Sequence, residues 1–432
     1  MNTPNPRPTA LVALVSLAAC GTDTDSEQSR PGTQAIPQHQ ARDSAGIRII
    51  ENRRPAEGSR LGWRIGAEPA LTIGSVSGDE AFQLHRVDDA LKLPDGRLVV
   101  ANGGSHQLLV FNEVGIYLAA WGQKGEGPGD FGGAWGGDAL GSRLFWAEPW
   151  PGDSIAVCHG TYELGLDLFS TFDSDGNHGQ TINLAPDGSS TRCRDVLPDG
   201  SILASREPKW SGYPPTGMQR NEMEFFLVEG DGTRRAELGS HPGAEEFYYL
   251  DETVFPPFSF WMLDPPFQQT VVWGAWDGLA IVSPSDRYEI RAYGPEGTLQ
   301  RIVRRDHAVR LPTEADLESY RNGQLESIRG SEYREMMAPV LGALEVPPSF
   351  PAFSAIEVDA VGYLWVREYD LPGQERDRAL WTVFDSGGIV LGFMETPPDL
   401  AIYEIGEDYI VGKVYDELRV EYVQIWELAR SD

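Results

Sequence analysis

LPDGRLVVAN at residues 93–102 and LPDGSILAS at residues 197–205 are two copies of one pattern, a Pro-Asp-Gly turn followed by an apolar strand. An Asp-Gly pair supplies the positive φ that a tight hairpin needs, so each copy predicts the junction between two antiparallel strands. The hairpin recurs six times, with weaker copies at LGSRLFWAE 140–148, WDGLAIVSP 276–284, AVGYLWVRE 360–368 and GEDYIVGK 406–413.

A second pattern follows each hairpin: a strand that ends in an apolar or aromatic residue, then a turn that ends in Gly. It reads FNEVG at 111–115, FDSDG at 172–176, VEGDG at 228–232, YGPEG at 293–297 and FDSGG at 384–388, and the sixth copy stops at Trp426-Glu427. Four short strands per repeat are typical of a propeller blade. We therefore predict an all-β fold, a six-bladed β-propeller of four-stranded antiparallel blades over residues 46–432.

The last repeat lacks its fourth strand, and the N-terminal part of the chain can supply it. PALTIG at residues 69–74 is followed by a Gly-rich acidic loop and Phe82, the same order that follows the first repeat at residues 120–131. We expect residues 69–74 to complete the final blade, which would close the ring and remove an exposed strand edge. Residues 47–51 predict an extra strand outside this closure.

Composition restricts the class of protein. The chain has 432 residues, of which 41% are hydrophobic, with 48 Gly and 31 Pro. These values suit a large core with many turns and argue against global disorder. The formal net charge of −30 would repel phosphate backbones, so we expect no nucleic-acid partner and interpret the acidic balance as a solvated surface.

The first twenty residues have the organisation of an export signal. Arg7 precedes an apolar run at residues 10–19 that is too short to span a bilayer as a helix. LAACG at residues 17–21 resembles the bacterial lipobox, which implies a signal peptide at 1–19 and lipidation of Cys20. The alternative is an ordinary secretory peptide that is cleaved elsewhere.

A lipid on Cys20 would be the only attachment to the membrane. Gly21, rather than Asp, follows the cysteine, and this favours the outer membrane as the location. Residues 20–45 carry almost no large apolar side chains and therefore predict a flexible tether.

Residues 101–111, ANGGSHQLLVF, resemble the NHL repeat, which runs Ala-Asp, a turn, Asn-His-Arg-Ile and a strand that ends in Val-Phe. Asn102 stands where that repeat has Asp, and Gln107 stands where it has Arg, so both charges of the usual repeat are missing. Over residues 46–430 the chain resembles the six-bladed propeller lipoproteins of bacteria, a family without an assigned activity.

Insertions are confined to one predicted rim. They lie in the connections at 148–165, 206–223, 239–268, 306–352 and 368–379. Loops on a rigid scaffold are where binding residues are usually placed, so we predict that this rim binds a peptide, glycan or protein partner.

Two of these insertions predict particular structures. Thr313 followed three residues later by Asp316 is a capping-box arrangement, which predicts a helix within the 306–352 insertion between the fourth and fifth blades. The aromatic, Pro-rich segment 247–267 either packs over the channel mouth or forms an exposed binding patch.

The two remaining cysteines fall on the same rim of neighbouring blades. The repeat places Cys158 in the decorated loop of the second blade and Cys193 at the start of the innermost strand of the third. An exported compartment permits a disulfide between them, and two unreactive thiols are the alternative.

Four cationic side chains, His85, Arg86, Arg192 and Arg194, fall near the predicted channel mouth. If they converge there, an anionic ligand such as a carboxylate or an acidic sugar would bind. The alternative is that they pair with the neighbouring acidic side chains Asp88, Asp89 and Asp195.

Resemblance to other six-bladed propellers implies a second function, a hydrolase or lyase of lactonase type with its active site in the channel. Such enzymes hold calcium or zinc at the strand entrances, the positions where the innermost strands begin. In this chain those entrances fall near Asp88, Arg192, Thr270, Ser354 and Leu400. These positions offer few oxygen ligands for a metal ion. The segment DSDGN at 173–177 resembles part of a calcium-binding loop, but it stands where the repeat predicts a hairpin turn. We therefore expect no catalytic residue, metal site or cofactor, with calcium as the open alternative, and the leading hypothesis is a cell-envelope binding propeller.

Overall fold

A computed structural model gives the structure of residues 39–125, 127–131, 142–161, 166–186, 188–207, 214–251, 260–374 and 376–430. The predicted signal peptide, the predicted lipidation site Cys20 and most of the predicted tether lie outside the described residues. No helix among the described residues is long and apolar enough to cross a membrane.

The described chain is mostly β, with two α-helices, α1 (Glu314–Ser327) and α2 (Ser331–Gly342). The strands, in chain order, are β1 (His39–Ser44), β2 (Ile47–Asn52), β3 (Arg64–Ile65), β4 (Leu71–Ile73), β5 (Val87–Lys92), β6 (Leu98–Asn102), β7 (Gln107–Phe111), β8 (Tyr117–Trp121), β9 (Ser142–Trp150), β10 (Ser154–Thr161), β11 (Leu166–Phe172), β12 (His178–Asn183), β13 (Thr191–Val196), β14 (Ile202–Arg206), β15 (Gly217–Val228), β16 (Arg234–Leu250), β17 (Phe260–Leu263), β18 (Val271–Trp276), β19 (Leu279–Pro284), β20 (Glu289–Tyr293), β21 (Leu299–Arg305), β22 (Ala355–Val358), β23 (Leu364–Arg367), β24 (Ala379–Phe384), β25 (Val390–Thr396), β26 (Ala401–Ile405), β27 (Tyr409–Tyr415) and β28 (Glu421–Ala429).

Strands pair antiparallel with their neighbours in the chain, in sets of four. β5 to β8 and β22 to β25 form separate four-stranded sheets, and β9 to β12, β13 to β16 and β18 to β21 pair consecutively in the same way. One parallel pair, Leu166 with Thr191, links two of these sets into a larger sheet. This repeated four-stranded antiparallel arrangement is consistent with a β-propeller.

The hairpins form where the Pro-Asp-Gly pattern predicts them. Gly96 and Gly200 close the first turns of their sheets with φ of 91° and 83°, a region that glycine adopts without steric cost. Each turn carries a backbone hydrogen bond, from Gly96 N to the carbonyl of Leu93 and from Gly200 N to the carbonyl of Leu197. The turn residues therefore set the register of the two strands that they join.

The N-terminal segment supplies the missing strand of the last sheet, as predicted. β4 pairs antiparallel with β28, with Ile73 opposite Val423 and Leu71 opposite Ile425. Ile73 is buried in a hydrophobic cluster that joins residues of the last sheet, such as Val411, to residues of the first sheet, such as Val100. Strand β4 thus helps to hold the first and last sheets of the described chain together.

The predicted extra strand at 47–51 is also present, and it extends further than expected. β2 pairs in parallel with β21, and β1 pairs antiparallel with β2. The predicted tether at 20–45 is therefore wrong at its C-terminal end, because residues 39–44 are ordered as a strand by the hydrogen bonds of β2. Asn52 links this pair to the next sheet by donating to the carbonyl of Gly388 at 2.9 Å.

The second set of strands differs in phase from the prediction. The repeat predicts a hairpin and the second strand at 140–148, but residues from 142 onward belong to β9, the first strand of its set. The turn lies at Gly152 and Asp153, which have φ of 82° and 56°. The expected loop insertion at 148–165 consequently contains strand β10, which carries Cys158.

The core lies between adjacent sheets. One buried cluster combines Leu91 and Val99 of the first sheet with Leu144 and Val157 of the next set. Each such contact removes apolar surface of both sheets from water. This burial stabilises the folded state by roughly 25 cal/mol per Å² of apolar surface.

The insertions form a second, smaller packing unit. The predicted capping box is present, since the Thr313 side chain accepts from Asp316 N and the Asp316 carboxylate accepts from Thr313 N. Most of the insertions at 206–223 and 239–268 form a long extension of the β15–β16 hairpin together with β17. Phe247 of this hairpin packs with Leu317 and Leu341 of the two helices, so part of the aromatic segment is buried, while residues 252–259 lie outside the described residues.

Candidate functional site

A cavity of about 590 Å³ lies among the innermost strands of the sheets. Its wall is formed by the C-terminal halves of β5, β9, β13, β18, β22 and β26 and by the turns that follow several of them. The cavity is therefore on the side of the hairpin turns, not on the side where the predicted insertions lie. We call it the central cavity.

Carboxyl groups from several strands surround the central cavity. Glu148 of β9, Asp195 of β13, Glu357 of β22 and Glu404 of β26 line it, and Asp89 of β5 lies close enough to interact electrostatically with them. Aromatic lining is provided by Trp150, Trp273 and Tyr403.

Three of these carboxyls hold neighbouring strands together. Asp89 accepts from Ala147 N of β9 at 2.9 Å, and Asp195 accepts from Ala275 N of β18 at 2.8 Å. Glu404 accepts from Lys92 N of β5 at 2.7 Å. Each carboxyl therefore satisfies a backbone donor of the adjacent sheet, which fixes the wall of the cavity.

The other two carboxyls, Glu148 and Glu357, are different. Among the hydrogen bonds and ion pairs of the described residues, none involves either side chain, and both are only partly accessible to solvent. Polar groups in such a position can bond to a ligand or to water without losing a protein partner.

Burial raises the pKa values of these carboxyl groups. It raises the pKa of Asp89 to about 8, of Glu357 to about 8 and of Asp195 to about 6, and the neighbouring negative charges add to the effect on Asp89 and Glu357. Burial and the nearby carboxyls also raise the pKa of Glu148 well above its usual value. At pH 7 the cavity wall therefore holds protonated carboxyls, which can donate as well as accept hydrogen bonds.

The raised pKa values predict that the protein loses stability as the pH rises. A carboxyl whose pKa is higher in the folded state binds more protons there than in the unfolded chain, so its contribution is complete below about pH 4 and is lost by about pH 8. A difference of 1 between the folded and unfolded pKa corresponds to about 1.4 kcal/mol. We expect the Tm to fall as the pH rises from about 5 to about 8.5.

Glu357→Gln should flatten this pH dependence, because glutamine keeps the shape of the protonated acid but does not titrate. The exposed Glu326 of α1 gives a matched control, and Glu326→Gln should retain the full slope. Thermal melts at a series of pH values measure both. An equal slope in Glu357→Gln and the unmodified protein would contradict the raised pKa of Glu357.

The four cationic residues predicted to lie near the channel mouth are not among the described residues that line the central cavity. His85 and Arg86 are exposed in the segment before β5, and Arg192 and Arg194 lie on β13. Among the described residues that line the central cavity, none of the four is present. The strand entrances Asp88, Arg192, Thr270, Ser354 and Leu400 do not line it either.

Partners within the protein hold the two arginines of β13. Arg192 pairs with the buried Asp167 at 2.9 Å rather than with the predicted Asp195, whose two oxygens accept from Val196 N and Ala275 N. Arg194 lies over the Trp273 ring at 4.2 Å and donates to Ser205 Oγ at 2.7 Å. Burial lowers the pKa of Arg194 to about 10.

The structure joins Cys158 and Cys193 by a disulfide, with their Cα atoms 6.4 Å apart. Cys158 lies on strand β10 and not in a loop, and Cys193 lies on β13, so the bond connects two neighbouring sets of strands. Asp167 is adjacent, and it accepts from Cys193 N at 3.0 Å. The bond crosses the place where the two sets meet through a single parallel strand pair.

Loss of this bond should weaken the protein. The sequence separation is 35 residues, and chain entropy for a closed loop of that length corresponds to about 3–4 kcal/mol. We expect Cys158→Ala/Cys193→Ala to lower the urea midpoint by the corresponding amount, and reduction of the unmodified protein to do the same. A count of free thiols under denaturing, non-reducing conditions should find no more than one per chain, and three would refute the bond.

The segment DSDGN at 173–177 is a turn, as its place in the repeat predicts. Asp173 Oδ1 accepts from Asp175 N at 3.0 Å and from Asn177 N at 2.8 Å, within the connection between β11 and β12. The carboxyl is thus used by its own turn.

Sequence reasoning named Asp89 and Asp195 only as partners of the cations and missed Glu148, Glu357 and Glu404, because it looked for ligands only at the start of each innermost strand. A signal was present, since Asp195 and Glu357 each stand five positions before the glycine of the hairpin turn, Gly200 and Gly362. Alignment on those glycines would have placed both acids at the same height in the channel.

No protein-family model matches the sequence, and no curated protein matches it. A candidate exported protein from Bacteroides fragilis is 12% identical with a TM-score of 0.45, over 89% of this chain and all of that one. A member of the DUF4221 family from Bacteroides vulgatus is 11% identical with a TM-score of 0.43, over 85% and 99% of the two chains. The PQQ-bound aldose sugar dehydrogenase of Streptomyces coelicolor is 11% identical with a TM-score of 0.40, over 86% and 99%. Likenesses this remote carry no argument about the function of this chain.

Proposed function

We propose that this protein is an exported binding protein that holds a neutral, hydroxyl-bearing ligand of carbohydrate type in the central cavity. One observation carries the proposal: Glu148 and Glu357, from different innermost strands, line the same cavity, and no described residue forms a hydrogen bond or ion pair with their side chains. They are the polar groups that a ligand could engage without displacing a bond of the protein.

The chemistry of the wall favours hydroxyl groups. A protonated carboxyl offers one donor and further acceptor capacity, which matches the paired donor and acceptor character of a sugar hydroxyl. Trp150 and Tyr403 add aromatic surface, and Val196 and Ile356 add apolar surface for the C–H faces of a ring. A volume of about 590 Å³ lies within the range of small-molecule sites.

The rigidity of the wall supports the same function. Asp89, Asp195 and Glu404 are held by backbone donors of adjacent sheets, so the cavity does not need to order itself when a ligand enters. Preformed sites avoid part of the entropy cost of binding.

The proposal includes the wider organisation of the molecule. Six copies of the hairpin and strand sets that pair consecutively support a ring of six blades closed by β4. A lipid on Cys20 would anchor the body to the cell envelope, with the outer membrane as the proposed location. The common packing of the β15–β16 hairpin with α1 and α2 supports a platform for a peptide, glycan or protein partner on the elaborated rim.

A metal-dependent hydrolase or lyase centred on the channel is the second candidate. The observation that favours it is the convergence of carboxyl oxygens from several strands, because oxygen ligands suit calcium. Among the described residues that line the central cavity there is no histidine, serine or cysteine, so a nucleophile of those types is not offered there.

Thermal shift and calorimetry with a panel of neutral mono- and disaccharides, calcium chloride and zinc chloride separate the two candidates. We expect a saccharide to raise the Tm, with the shift lost in Glu357→Ala and Glu148→Ala and kept in the exposed control Glu326→Ala. One tightly bound calcium or zinc per chain, without any saccharide binding, would replace the carbohydrate proposal by the channel enzyme. No response to any probe would reject the central cavity as a site.

A further inference from the structure

A second cavity, of about 200 Å³, lies where three distant segments of the chain meet. The segment after β2 contributes Arg54, the segment between β21 and α1 contributes His307 and Arg310, and the segment after β23 contributes Arg376. This cavity shares no lining residue with the central cavity. We call it the rim cavity.

Positive charge dominates the rim cavity of this very acidic chain. Two acidic side chains, Glu57 and Glu368, also line it. Glu368 is already neutralised from the interior, because the fully buried Arg305 donates to both of its oxygens, at 2.6 and 3.1 Å. Tyr288 and Thr382 also donate to Glu368, at 3.0 and 2.8 Å.

The remaining pairs of the rim cavity involve at least one partly exposed side chain. Arg54 pairs with Glu57 at 3.2 Å, where the Glu57 side chain is 77% exposed, and it lies 3.9 Å from the buried Glu368 carboxylate that Arg305 already binds. Arg376 pairs with Asp370, and both side chains are about 30% exposed. Exposed pairs contribute little net energy, so a ligand can replace them at small cost. Among the described residues, none forms a side-chain hydrogen bond or ion pair with Arg310.

His307 lies close to the same arginines. Burial lowers the pKa of His307, and the charges of Arg305, Arg54 and Arg310 lower it further, although Glu368 acts in the opposite direction. Since Arg305 and Glu368 offset each other, Arg54 and Arg310 are the two further guanidinium groups whose charge acts on His307.

The floor of the rim cavity is apolar. Phe350, Pro351 and Ala352 are buried there, and Phe350 packs edge to face on Phe267 at 4.8 Å. A ligand that fills the space thus needs an anionic end and a small carbon skeleton. Planar guanidinium groups match the geometry of a carboxylate better than that of a spherical ion.

We infer that the rim cavity is a second binding site, specific for a small carboxylate, with Arg310 as its principal ligand and Arg54 and His307 beside it. The anionic ligand expected at the channel mouth from the sequence is thereby assigned to a different set of cations. The site is independent of the central cavity and of the carbohydrate proposal.

Differential scanning fluorimetry of the intact chain at physiological salt provides the test. The probes are acetate, lactate and glucuronate, each paired with its neutral counterpart, acetamide, lactamide and glucose. We expect at least one carboxylate to raise the Tm in a concentration-dependent manner while its neutral counterpart does not. Arg310→Gln should weaken that binding about tenfold or more, since it removes a charge-assisted hydrogen bond.

Two control variants test whether the carboxylate binds in the rim cavity and not elsewhere on the chain. Arg329→Gln removes an exposed arginine between α1 and α2 and should leave carboxylate binding unchanged. Glu357→Ala in the central cavity should leave it unchanged as well, so the two proposals can fail separately. The inference is overturned if no carboxylate shifts the Tm, if inorganic phosphate gives an equal shift, or if the shift persists in Arg310→Gln.

Discussion

Ile73→Asp is expected to abolish cooperative folding of the whole domain. Ile73 is 1% exposed on β4, opposite Val423 of the last strand, and belongs to the cluster that joins the last sheet to the first. An unpaired carboxylate in such a place costs several kcal/mol, and the loss of β4 would also leave β28 with an open edge. The total stability of a domain is typically about 5–15 kcal/mol, so this one change removes a large fraction of it.

Thr72→Asp is the matched control. Thr72 stands on the same strand, opposite Gln424, but its side chain is exposed. Its effect should stay within about 0.5 kcal/mol, as for other surface substitutions. Urea unfolding followed by circular dichroism measures both variants. A chain truncated before Ala81 should fail to unfold cooperatively, and a truncated chain as stable as the intact one would refute closure by β4.

Glu368→Ala is expected to cost about 3–5 kcal/mol, because it leaves the Arg305 guanidinium buried without its carboxylate. The Arg305 side chain is 0% exposed and lies 3.7 Å from the centre of the Tyr288 ring, so water cannot reach the charge. The Tyr288 and Thr382 hydroxyls would lose an acceptor at the same time. The measurement is the free energy of unfolding in urea.

A double variant tests whether the penalty comes from the unpaired charge. Arg305→Met/Glu368→Leu removes both charges and should be more stable than Glu368→Ala alone. The pair between Arg60 and Glu395 is a control at the surface, where Glu395 is 35% exposed, and Glu395→Ala should cost no more than about 1 kcal/mol. Equal losses in Glu368→Ala and Glu395→Ala would contradict the argument.

Local signals in the sequence predicted much of the architecture. Pro-Asp-Gly before an apolar run located the hairpins at Gly96 and Gly200, because glycine alone adopts that φ easily. Thr313 and Asp316 located the start of α1 in the same way. The prediction of β4 came from the missing strand of the last repeat, which is a counting argument and needs no tertiary information.

The second set of strands shows where such signals mislead. Residues 142–150 alternate in a way that suits either the first or the second strand of a repeat, and the neighbouring glycines allowed the wrong phase. The true turn at Gly152 and Asp153 has glycine before aspartate, the reverse of the Asp-Gly order at residues 95–96 and 199–200. The position of Cys158 was misjudged for the same reason, although its proximity to Cys193 was expected.

By itself, the sequence determined the strand repeat, the closing strand and the helical insertion, since each depends on neighbours in the chain or on a regular period. Only the tertiary structure determined which residues line the two cavities. Glu148 and Glu357 are far apart in the chain and face one space because their strands lie innermost around it. Arg54, Arg310 and Arg376 meet only because three loops end at one place on the surface. Electrostatic interactions act through space, and no period in the sequence records which charges will be neighbours.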